Sequence, residues 1–259
     1  MISKNILKYY TSLKQKKYRQ QEGKFLIEGY HLLEECLGSS FYLESVLVSE
    51  SAGLEKNEKL LNKLEKRKIP VHYLKESMFA KLSDTEHSQG ITAVVHKKLQ
   101  NDLNLLYKSS LVIALDRITD PGNLGTIIRT AYWFGADAVL VSENSVEFYN
   151  SKVVRSTQGG LFHVDVFDNV PLGKTLDDLS SNGFNIYLLD INAEKNLENI
   201  SVNKKSVFVF GNEAEGISKE ILNKGFDKLK IKGFSNCESL NVAVSCAIVL
   251  HDYRRRIQR

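Results

Sequence analysis

Residues 116–131 read DRITDPGNLGTIIRTA, and this stretch decides how the rest of the chain is interpreted. It follows the continuous apolar run Leu111–Leu115 and leads into apolar positions with helical spacing. The Asp-Pro-Gly sequence at 120–122 predicts a tight turn, because proline fixes φ and glycine frees the backbone. Asn123 is therefore expected near the N-terminus of a helix, where free backbone N–H groups can bind an anion.

Arg129 lies six residues after Asn123 on the expected helix, in apolar sequence surroundings that include Ile128 and Ala131. A buried arginine needs an acceptor, and a phosphate suits its planar guanidinium group. A structural ion pair with an aspartate is the alternative. Local chemistry alone favours that ion pair, since charged side chains in such surroundings are usually paired.

Two further segments rich in Gly, Asn or Ser follow, FGNEAEG at 210–216 and ESLNVA at 238–243. All three segments are expected where apolar strand-like runs end, the edge at which open α/β sheets bind ligands. In the second segment, Gly211 and Gly216 allow close backbone approach, and Glu213 could bind a ribose or an amine. The segment is neither a Walker loop nor a GxGxxG motif, so alone it indicates a turn more than a site.

The third segment opens the last predicted helix, which runs from Leu240 to about Ile257 with an apolar stripe along one side. Ser239 is explained by its position as a helix cap. Asn241 is not explained equally well, because asparagine has a low propensity for the first turn of an apolar helix. Asn241 is therefore a candidate site residue.

The composition is that of a globular protein: 259 residues, 42% hydrophobic and 25% charged. No apolar run approaches the roughly 20 residues that span a bilayer, and the N-terminus lacks the features of a signal peptide. The cysteines Cys36, Cys237 and Cys246 show no CxxC spacing, and the six histidines form no HxH or HExxH pair. We therefore expect a reducing cytoplasm, no membrane association, no disulfide framework and no metal site.

Basic residues concentrate at the two ends of a chain whose net charge is +4. Such clusters could meet phosphates at two places on one RNA. They could equally be solvated helix faces, with the C-terminal arginines complementing a helix dipole, and for those arginines both alternatives stay open. The clusters are Lys4, Lys8, Lys14, Lys16, Lys17, Arg19 and Lys24, and Arg254, Arg255, Arg256 and Arg259.

The chain is predicted to contain a smaller α/β domain at 1–97, a polar linker at 98–110 and a larger α/β domain at 111–259. Continuous apolar runs in the larger domain are typical of parallel strands buried on both faces. Predicted strands are 25–29, 45–48, 71–74, 91–96, 111–115, 138–141, 186–189 and 207–210. Predicted helices are 3–19 (capped by Ser3), 31–37, 55–67, 76–82, 124–134, 174–179, 219–223 and 240–257.

In their order and spacing, the three segments resemble the motifs of the SpoU/TrmH family, the RNA ribose 2′-O-methyltransferases of the SPOUT superfamily. Those motifs read roughly D-P-x-N-x-G-x-x-x-R-T-A, G-x-E-x-x-G and S-L-N-V. The resemblance covers almost the whole chain, since residues 1–97, with KYR at 17–19 and FLIEG at 25–29, resemble the ribosomal-protein-like substrate-binding domain that often precedes the catalytic domain. It implies a parallel sheet ending in a C-terminal trefoil knot, S-adenosyl-L-methionine as cofactor, RNA as substrate and a homodimer.

The resemblance also assigns roles to individual residues. Arg129 is expected to activate the ribose 2′-hydroxyl, in a site shaped by Asn123, Glu213, Ser239 and Asn241. Cofactor contacts are expected at Gly211, Ile231 and Leu240, and RNA contacts at Lys17, Arg19 and Arg155. One stretch departs from the family pattern: residues 231–235 read IKGFS where the family has I-P-M-x-G, which puts cofactor affinity and loop rigidity in question.

The leading interpretation is S-adenosylmethionine-dependent methylation of a ribose 2′-hydroxyl in rRNA or tRNA, with the N-terminal domain favouring rRNA. The alternative is a catalytically idle RNA-binding or ribosome-assembly factor that retains the fold. The altered loop at 231–235 supports that alternative, and the intact Arg129, Asn123 and Asn241 oppose it. A nucleotide-binding α/β enzyme outside the family would need a phosphate loop, which the sequence lacks.

Overall fold

The computed structural model describes residues 3–54, 57–85, 87–98, 102–200 and 204–257. The chain divides into two compact units, each with its own sheet. The first unit contains Met1–Leu99 together with Tyr149–Phe162, and the second contains Gln100–Phe148 and His163–Arg259. A short segment from the middle of the chain therefore belongs to the N-terminal unit, which the sequence did not indicate.

Among its described residues, the first unit forms a four-stranded mixed sheet with helices. Its elements up to residue 96 are α1 (Lys4–Ser12), α2 (Lys16–Glu22), β1 (Lys24–Glu28), α3 (Tyr30–Leu37), β2 (Leu43–Ser49), α4 (Glu58–Lys66), β3 (Val71–Leu74), α5 (Glu76–Phe79) and β4 (Ile91–His96). The strand order is β1-β4-β2-β3, with β4 antiparallel to β1 and β2, and with β3 parallel to β2. All four predicted strands of this region are present.

The helix predicted over 3–19 is in fact two helices. Ser3 caps α1 as predicted, since its hydroxyl oxygen accepts a hydrogen bond from the Ile6 amide at 3.3 Å. The chain then turns before α2, which ends at Gly23 in the left-handed region with φ 63°. The Arg19 guanidinium donates to the carbonyls of Leu13 (3.0 Å) and Lys14 (2.6 Å), groups that the end of a helix leaves without helical partners.

The helix predicted to begin at Glu55 is α4. Glu55 itself lies outside the described residues. The helix is described from Glu58, and its N-cap is Asn57, whose side chain accepts from the Leu60 amide at 3.1 Å.

The second unit holds seven described strands, all parallel to their neighbours in the order β7-β6-β5-β10-β8-β11-β9. From β5 the elements are β5 (Leu111–Leu115), α6 (Pro121–Trp133), β6 (Ala138–Ser142), α7 (Ser151–Ser156), β7 (Asp165–Val170), α8 (Leu172–Ser181), β8 (Asn185–Leu189), β9 (Lys195–Asn196), β10 (Ser206–Phe210), α9 (Lys219–Leu222), β11 (Asp227–Lys230) and α10 (Val242–Ile257). Of these, α7 belongs to the first unit. The late strand β10 lies between β5 and β8.

The central strands confirm the prediction made from apolar runs, because every residue of β5, β6 and β10 is buried. The sequence pattern missed β7, β9, β11 and α7. The edge strand β7 reads DVFDNV, and β11 reads DKLK with Leu229 as its only buried residue. Such short or charged strands carry no continuous apolar run that could indicate them.

Parallel pairing places the carboxyl ends of β5, β10 and β8 side by side at one edge of the sheet. Residues 116–120 follow β5 directly and residues 211–217 follow β10 directly, as expected. The third segment was expected at a strand end, and this was wrong: residues 231–241 separate β11 from α10. The segment instead lies at the start of α10.

Candidate active site

The start of α6 is built as the turn residues predict. Asp120 is the N-cap, and its side chain accepts from the Asn123 amide at 2.8 Å, while Pro121 occupies the first helical position. Buried side chains of α6 lie at Leu124, Ile127, Ile128 and Ala131. Asn123 is thereby fixed in the first turn with its side chain only partly buried.

One side chain from each of the three segments joins a single hydrogen-bond chain. Asn241 donates through Nδ2 to Oδ1 of Asn123 at 2.9 Å, and Asn123 donates through its own Nδ2 to Oε1 of Glu213 at 2.9 Å. Thr119 donates to the other oxygen of Glu213 at 3.4 Å. Residues that are 90 and 118 positions apart in sequence thus meet, which their type and order alone could only suggest.

The direction of this chain is set by the cap of α10. Oδ1 of Asn241 accepts from the amides of Ala243 (2.9 Å) and Val244 (3.3 Å), so only its Nδ2 can face Asn123. Asn123 must then accept from Asn241 and donate to Glu213. The carboxylate of Glu213 is the final acceptor in a network in which every amide orientation is determined.

Capping of the last helix is therefore the role of Asn241, and the prediction that Ser239 caps it was wrong. The helix starts at Val242, two residues later than predicted, which puts Ser239 in the preceding exposed loop. There the Ser239 carbonyl accepts from Sγ of Cys237 at 3.4 Å.

The segment 211–217 forms a closed loop that has little freedom to change. The backbones of Asn212 and Gly216 exchange two hydrogen bonds, and Oδ1 of Asn212 accepts from two amides inside the loop. A Cβ on Gly211 would lie 2.2 Å from the carbonyl carbon of Gly216 and from the amide nitrogen of Ile217. Only glycine fits at 211, because the loop backbone crosses itself there.

Arg129 lies on the exposed side of α6, not in the apolar surroundings that its sequence neighbours suggested. The buried stripe of the helix uses other angular positions, so Arg129 points away from the core. None of the described residues forms a hydrogen bond or an ion pair with its guanidinium. The structural ion pair considered as an alternative is thus absent from the described part of the chain.

The predicted cofactor residues lie at the carboxyl ends of β10 and β11, the two strands that flank β8, and in the loop before α10. Gly211 follows β10, the partly exposed Ile231 follows β11, and the exposed Leu240 directly precedes Asn241. This edge offers backbone donors and acceptors beside exposed apolar side chains, among them Ile191 after β8. Such a donor set suits a ligand that has both polar and apolar parts.

The loop at 231–235, whose sequence departs from the family pattern, has side-chain contacts of its own. Nζ of Lys232 lies 5.2 Å from the ring centroid of Phe234, whose side chain is 88% exposed. The Cys237 amide donates to the hydroxyl of Ser235 at 3.4 Å. Lys232, Gly233 and Ser235 take the places of the proline, methionine and glycine of the family pattern.

The three predicted RNA-binding residues lie in the first unit and differ in their surroundings. Lys17 is exposed on α2. Arg19 is only 4% exposed, and its guanidinium binds the two carbonyls between α1 and α2, which gives it a structural role. Arg155 is partly buried on α7. Burial raises the pKa of Asp84, but hydrogen bonds from Lys14 and Ser151, with the charges of Lys14 and Arg155, hold that pKa below its ordinary value.

Arg254, Arg255 and Arg256 lie in the last turn of α10, where basic side chains complement the helix dipole. Arg254 donates from Nε to the carbonyl of Phe134 at 2.5 Å, at the end of α6. Arg256 donates to the carbonyls of Leu197 and Ile200, each at 3.0 Å, and Arg255 pairs with Asp252 at 2.9 Å. Arg254 and Arg256 thus connect α10 to neighbouring segments. Arg259 lies outside the described residues.

Within the described ranges, no helix is long and apolar enough to cross a membrane, and no group of His, Cys, Asp and Glu side chains could hold a metal ion. All three cysteines are free thiols. Burial raises the pKa of the Cys36 thiol to about 12, which makes it a poor nucleophile. Cys246 is also buried, whereas Cys237 is exposed.

Comparison with known proteins finds a family match for each of two regions of the chain. Residues 110–251 match the SpoU rRNA Methylase family, and residues 4–93 match the MRM3-like substrate binding domain. The 23S rRNA (guanosine(2553)-2′-O)-methyltransferase RlmP of Bacillus subtilis is 33% identical over 249 residues, covering 96% of this chain and 95% of the relative.

Solved structures share the fold over nearly the full length. A TrmH-family structure from Porphyromonas gingivalis has a TM-score of 0.86 at 29% identity and covers 99% of both chains. An AdoMet-bound rRNA methyltransferase from Sinorhizobium meliloti has a TM-score of 0.87 at 23% identity, covering 99% of this chain and 97% of that one. The fold is the parallel α/β SPOUT fold preceded by a substrate-binding domain, and this chain belongs to the SpoU rRNA methylase family.

Proposed function

We propose that this protein methylates the 2′-hydroxyl of a ribose in ribosomal RNA, with S-adenosylmethionine as the methyl donor. The observation that carries the proposal is the hydrogen-bond chain Asn241–Asn123–Glu213, which joins all three family motifs, together with the exposed Arg129 on the same helix as Asn123. The relative RlmP is named for 2′-O-methylation of a guanosine in 23S rRNA, and this supports rRNA over tRNA.

The residues at the carboxyl edge of the sheet fit the cofactor. Gly211, Ile231 and Leu240 would hold it, the first two through backbone groups and Leu240 through an exposed apolar side chain. When bound, S-adenosylmethionine supplies an electrophilic methyl group. The AdoMet-bound Sinorhizobium meliloti protein with the same fold supports this assignment.

Arg129 is the residue that we assign to the reacting hydroxyl. A ribose 2′-hydroxyl is a weak nucleophile, and a neighbouring guanidinium stabilises the negative charge that develops on its oxygen. A cation without a partner among the described residues is available to bind the RNA in this way, through the 2′-oxygen or an adjacent phosphate.

The other polar residues position that arginine. The network fixes the first turn of α6 against the 211–217 loop and the start of α10. Arg129 lies less than two helical turns further along α6, so its placement depends on the same anchors. Ser239 stays a candidate for the site through its position beside Leu240.

We also propose that two copies of the chain form the active enzyme. Leu240, Val244 and Ile248 follow at four-residue spacing and are all exposed, and Trp133 on α6 is 83% exposed. Because α6 and α10 pack against each other, these side chains can contribute to one apolar surface of the second unit. A second copy of the chain is the occupant we assign to it.

The remaining assignments follow from family membership. We propose that β10 and β11, which are inserted between earlier strands, belong to a trefoil-knotted C-terminal region. We assign RNA capture to the first unit, through Lys17 and Arg155, and place the enzyme in the cytoplasm, where its RNA substrate is found.

Comparison of 2′-O-methyl maps tests the proposal. RNA from cells with and without the gene is mapped, and the deletion strain is complemented with wild type or with the Arg129→Ala variant. We expect one rRNA position to lose its 2′-O-methyl group and to regain it only with wild type. Loss in a tRNA would overturn the rRNA assignment alone, whereas identical maps would favour the idle RNA-binding factor.

A further inference from the structure

Arg117 is the second residue after β5 and has a φ of 57°, in the left-handed region that is costly for a residue with a side chain. Its backbone is held on both sides: the amide donates to the hydroxyl of Ser142 at 2.7 Å, and the carbonyl accepts from Nδ2 of Asn212 at 2.8 Å. Unfavourable conformations of this kind persist where the surroundings determine them, and they cluster at functional sites.

The side chain of Arg117 contacts the C-terminal part of the 211–217 loop. One terminal nitrogen binds the Glu215 carboxylate, and the other donates to the carbonyl of Gly216 at 3.3 Å. Its Nε lies 3.5 Å from Asp116, whose second carboxylate oxygen accepts from the Ser218 amide at 2.7 Å. Asp116 and Arg117 together therefore hold residues 215–218, about 100 positions away in sequence.

The loop thus has two separate sets of anchors. Its tip carries Glu213, which Asn123 and Thr119 hold. Its base is the crossing of Gly211 with Gly216, which the Asn212–Gly216 backbone bonds close and which Asp116 and Arg117 hold from outside the loop. Since Glu213 keeps its own partners, loss of the Arg117 side chain should loosen the base and leave the tip in place.

We propose that Arg117 is a positioning residue that keeps the base of the 211–217 loop in the shape that binds the methyl donor. The inference rests on the proposed function, in which Gly211 contacts that donor. It separates two effects within one loop: the base determines how tightly S-adenosylmethionine binds, and the tip determines how fast the methyl group is transferred.

The test uses Arg117→Gly in the full-length protein, because glycine accepts a φ of 57° and removes only the side chain. S-adenosylmethionine binding is measured by titration calorimetry, and methyl transfer to RNA is measured at saturating cofactor. We expect the Kd to rise about tenfold, as for the loss of a hydrogen-bonded charge, with kcat within about threefold of wild type.

Companion variants separate positioning from general stability. Arg117→Lys can still pair with Glu215 but lacks the planar fork, so it should recover part of the affinity. Glu215→Gln should weaken cofactor binding in the same direction as Arg117→Gly while leaving the backbone contacts of Arg117 intact. Lys224→Gln breaks a comparable, partly exposed ion pair with Asp177 in the same unit and should leave the Kd unchanged.

Each outcome decides the matter. An Arg117→Gly protein that binds S-adenosylmethionine like wild type, or one that loses kcat at an unchanged Kd, overturns the role of Arg117 and leaves the proposed function standing. Wild-type protein that fails to bind S-adenosylmethionine overturns both. If Arg117→Gly does not fold, the Kd of Glu215→Gln decides, with wild-type affinity as the contradicting result.

Discussion

Asn241 has two separable roles, and one pair of substitutions can distinguish them. Its Oδ1 caps α10 and its Nδ2 donates to Asn123. An aspartate can still cap the helix but cannot donate, so Asn241→Asp should keep the melting temperature near wild type and reduce kcat about tenfold or more. Asn241→Ala should lose activity and also about 1 kcal/mol of stability, from the missing cap.

Thermal unfolding and methyl-transfer rates at saturating cofactor measure the two effects. Equal activity in Asn241→Asp and wild type would show that the bond to Asn123 contributes nothing to catalysis. Equal stability of Asn241→Ala and wild type would show that the cap is unimportant.

Arg129 has an exposed side chain with no partner among the described residues, so its removal should not disturb the fold. We expect Arg129→Ala to abolish methyl transfer, while S-adenosylmethionine binding, assigned to the loops at Gly211 and Leu240, stays within about threefold. Arg67→Ala removes an exposed arginine from the first unit and is the control. Near wild-type turnover by Arg129→Ala would remove this residue from the mechanism.

At the residue scale, the sequence predicted three of the side chains that meet, but not how they meet. Asn123, Glu213 and Asn241 do form one network, as their motifs suggested. The burial of Arg19 could not be predicted, because it depends on a turn between α1 and α2 that a continuous helical pattern conceals. Arg117 was missed because its partner lies about 100 residues away.

At the element scale, the main difference between prediction and structure in α10 concerns which of its faces is buried. The predicted apolar stripe combined residues from two faces: Leu250 and Ala243 are buried, whereas Leu240 and Val244 are exposed. Hydrophobic spacing alone cannot distinguish apolar side chains that pack within the same chain from apolar side chains that stay exposed and can contact a second chain. Strands such as β11 were missed for the related reason that charged residues interrupt them.

The exposed apolar side chains of α6 and α10 lead to a prediction about assembly. Wild type should be a homodimer at micromolar concentration, because Trp133 and Ile248 expose apolar surface that a second copy would bury. Ile248→Glu should shift the protein to a monomer of about 29 kDa and lower its activity. Light scattering measures both states, and Ile6→Glu, at a comparably exposed isoleucine of the first unit, should stay dimeric. A fully active wild-type monomer would contradict the assembly.

At the scale of the whole molecule, the assignment of Tyr149–Phe162 to the first unit changes how RNA binding should be tested. Within that unit, Tyr149 contacts Phe25 with ring centroids 4.6 Å apart, and Phe162 contacts Phe41 at 5.1 Å. Removal of residues 1–100 would expose these aromatic side chains. Point substitutions in the full-length chain are therefore the better experiment.

Lys8, Lys16 and Lys17 are exposed basic residues of the N-terminal unit, and we expect them to contact RNA phosphates. Because each such contact releases condensed counterions, the triple change to glutamine should weaken RNA binding and make its salt dependence shallower by about two log units per log unit of salt. Binding isotherms at several salt concentrations measure this, with S-adenosylmethionine affinity as the control. An unchanged salt slope would make these lysines ordinary solvated side chains.

The most direct test of the central claim is the chemical identity of the methylated product. Purified protein is incubated with ribosomal RNA and S-adenosylmethionine carrying a labelled methyl group, and the RNA is digested to nucleosides for mass analysis, with Arg129→Ala in parallel. The proposed function predicts label in a single 2′-O-methylnucleoside with wild type and none with the variant. Label on a nucleobase, or no label with any RNA, would contradict it.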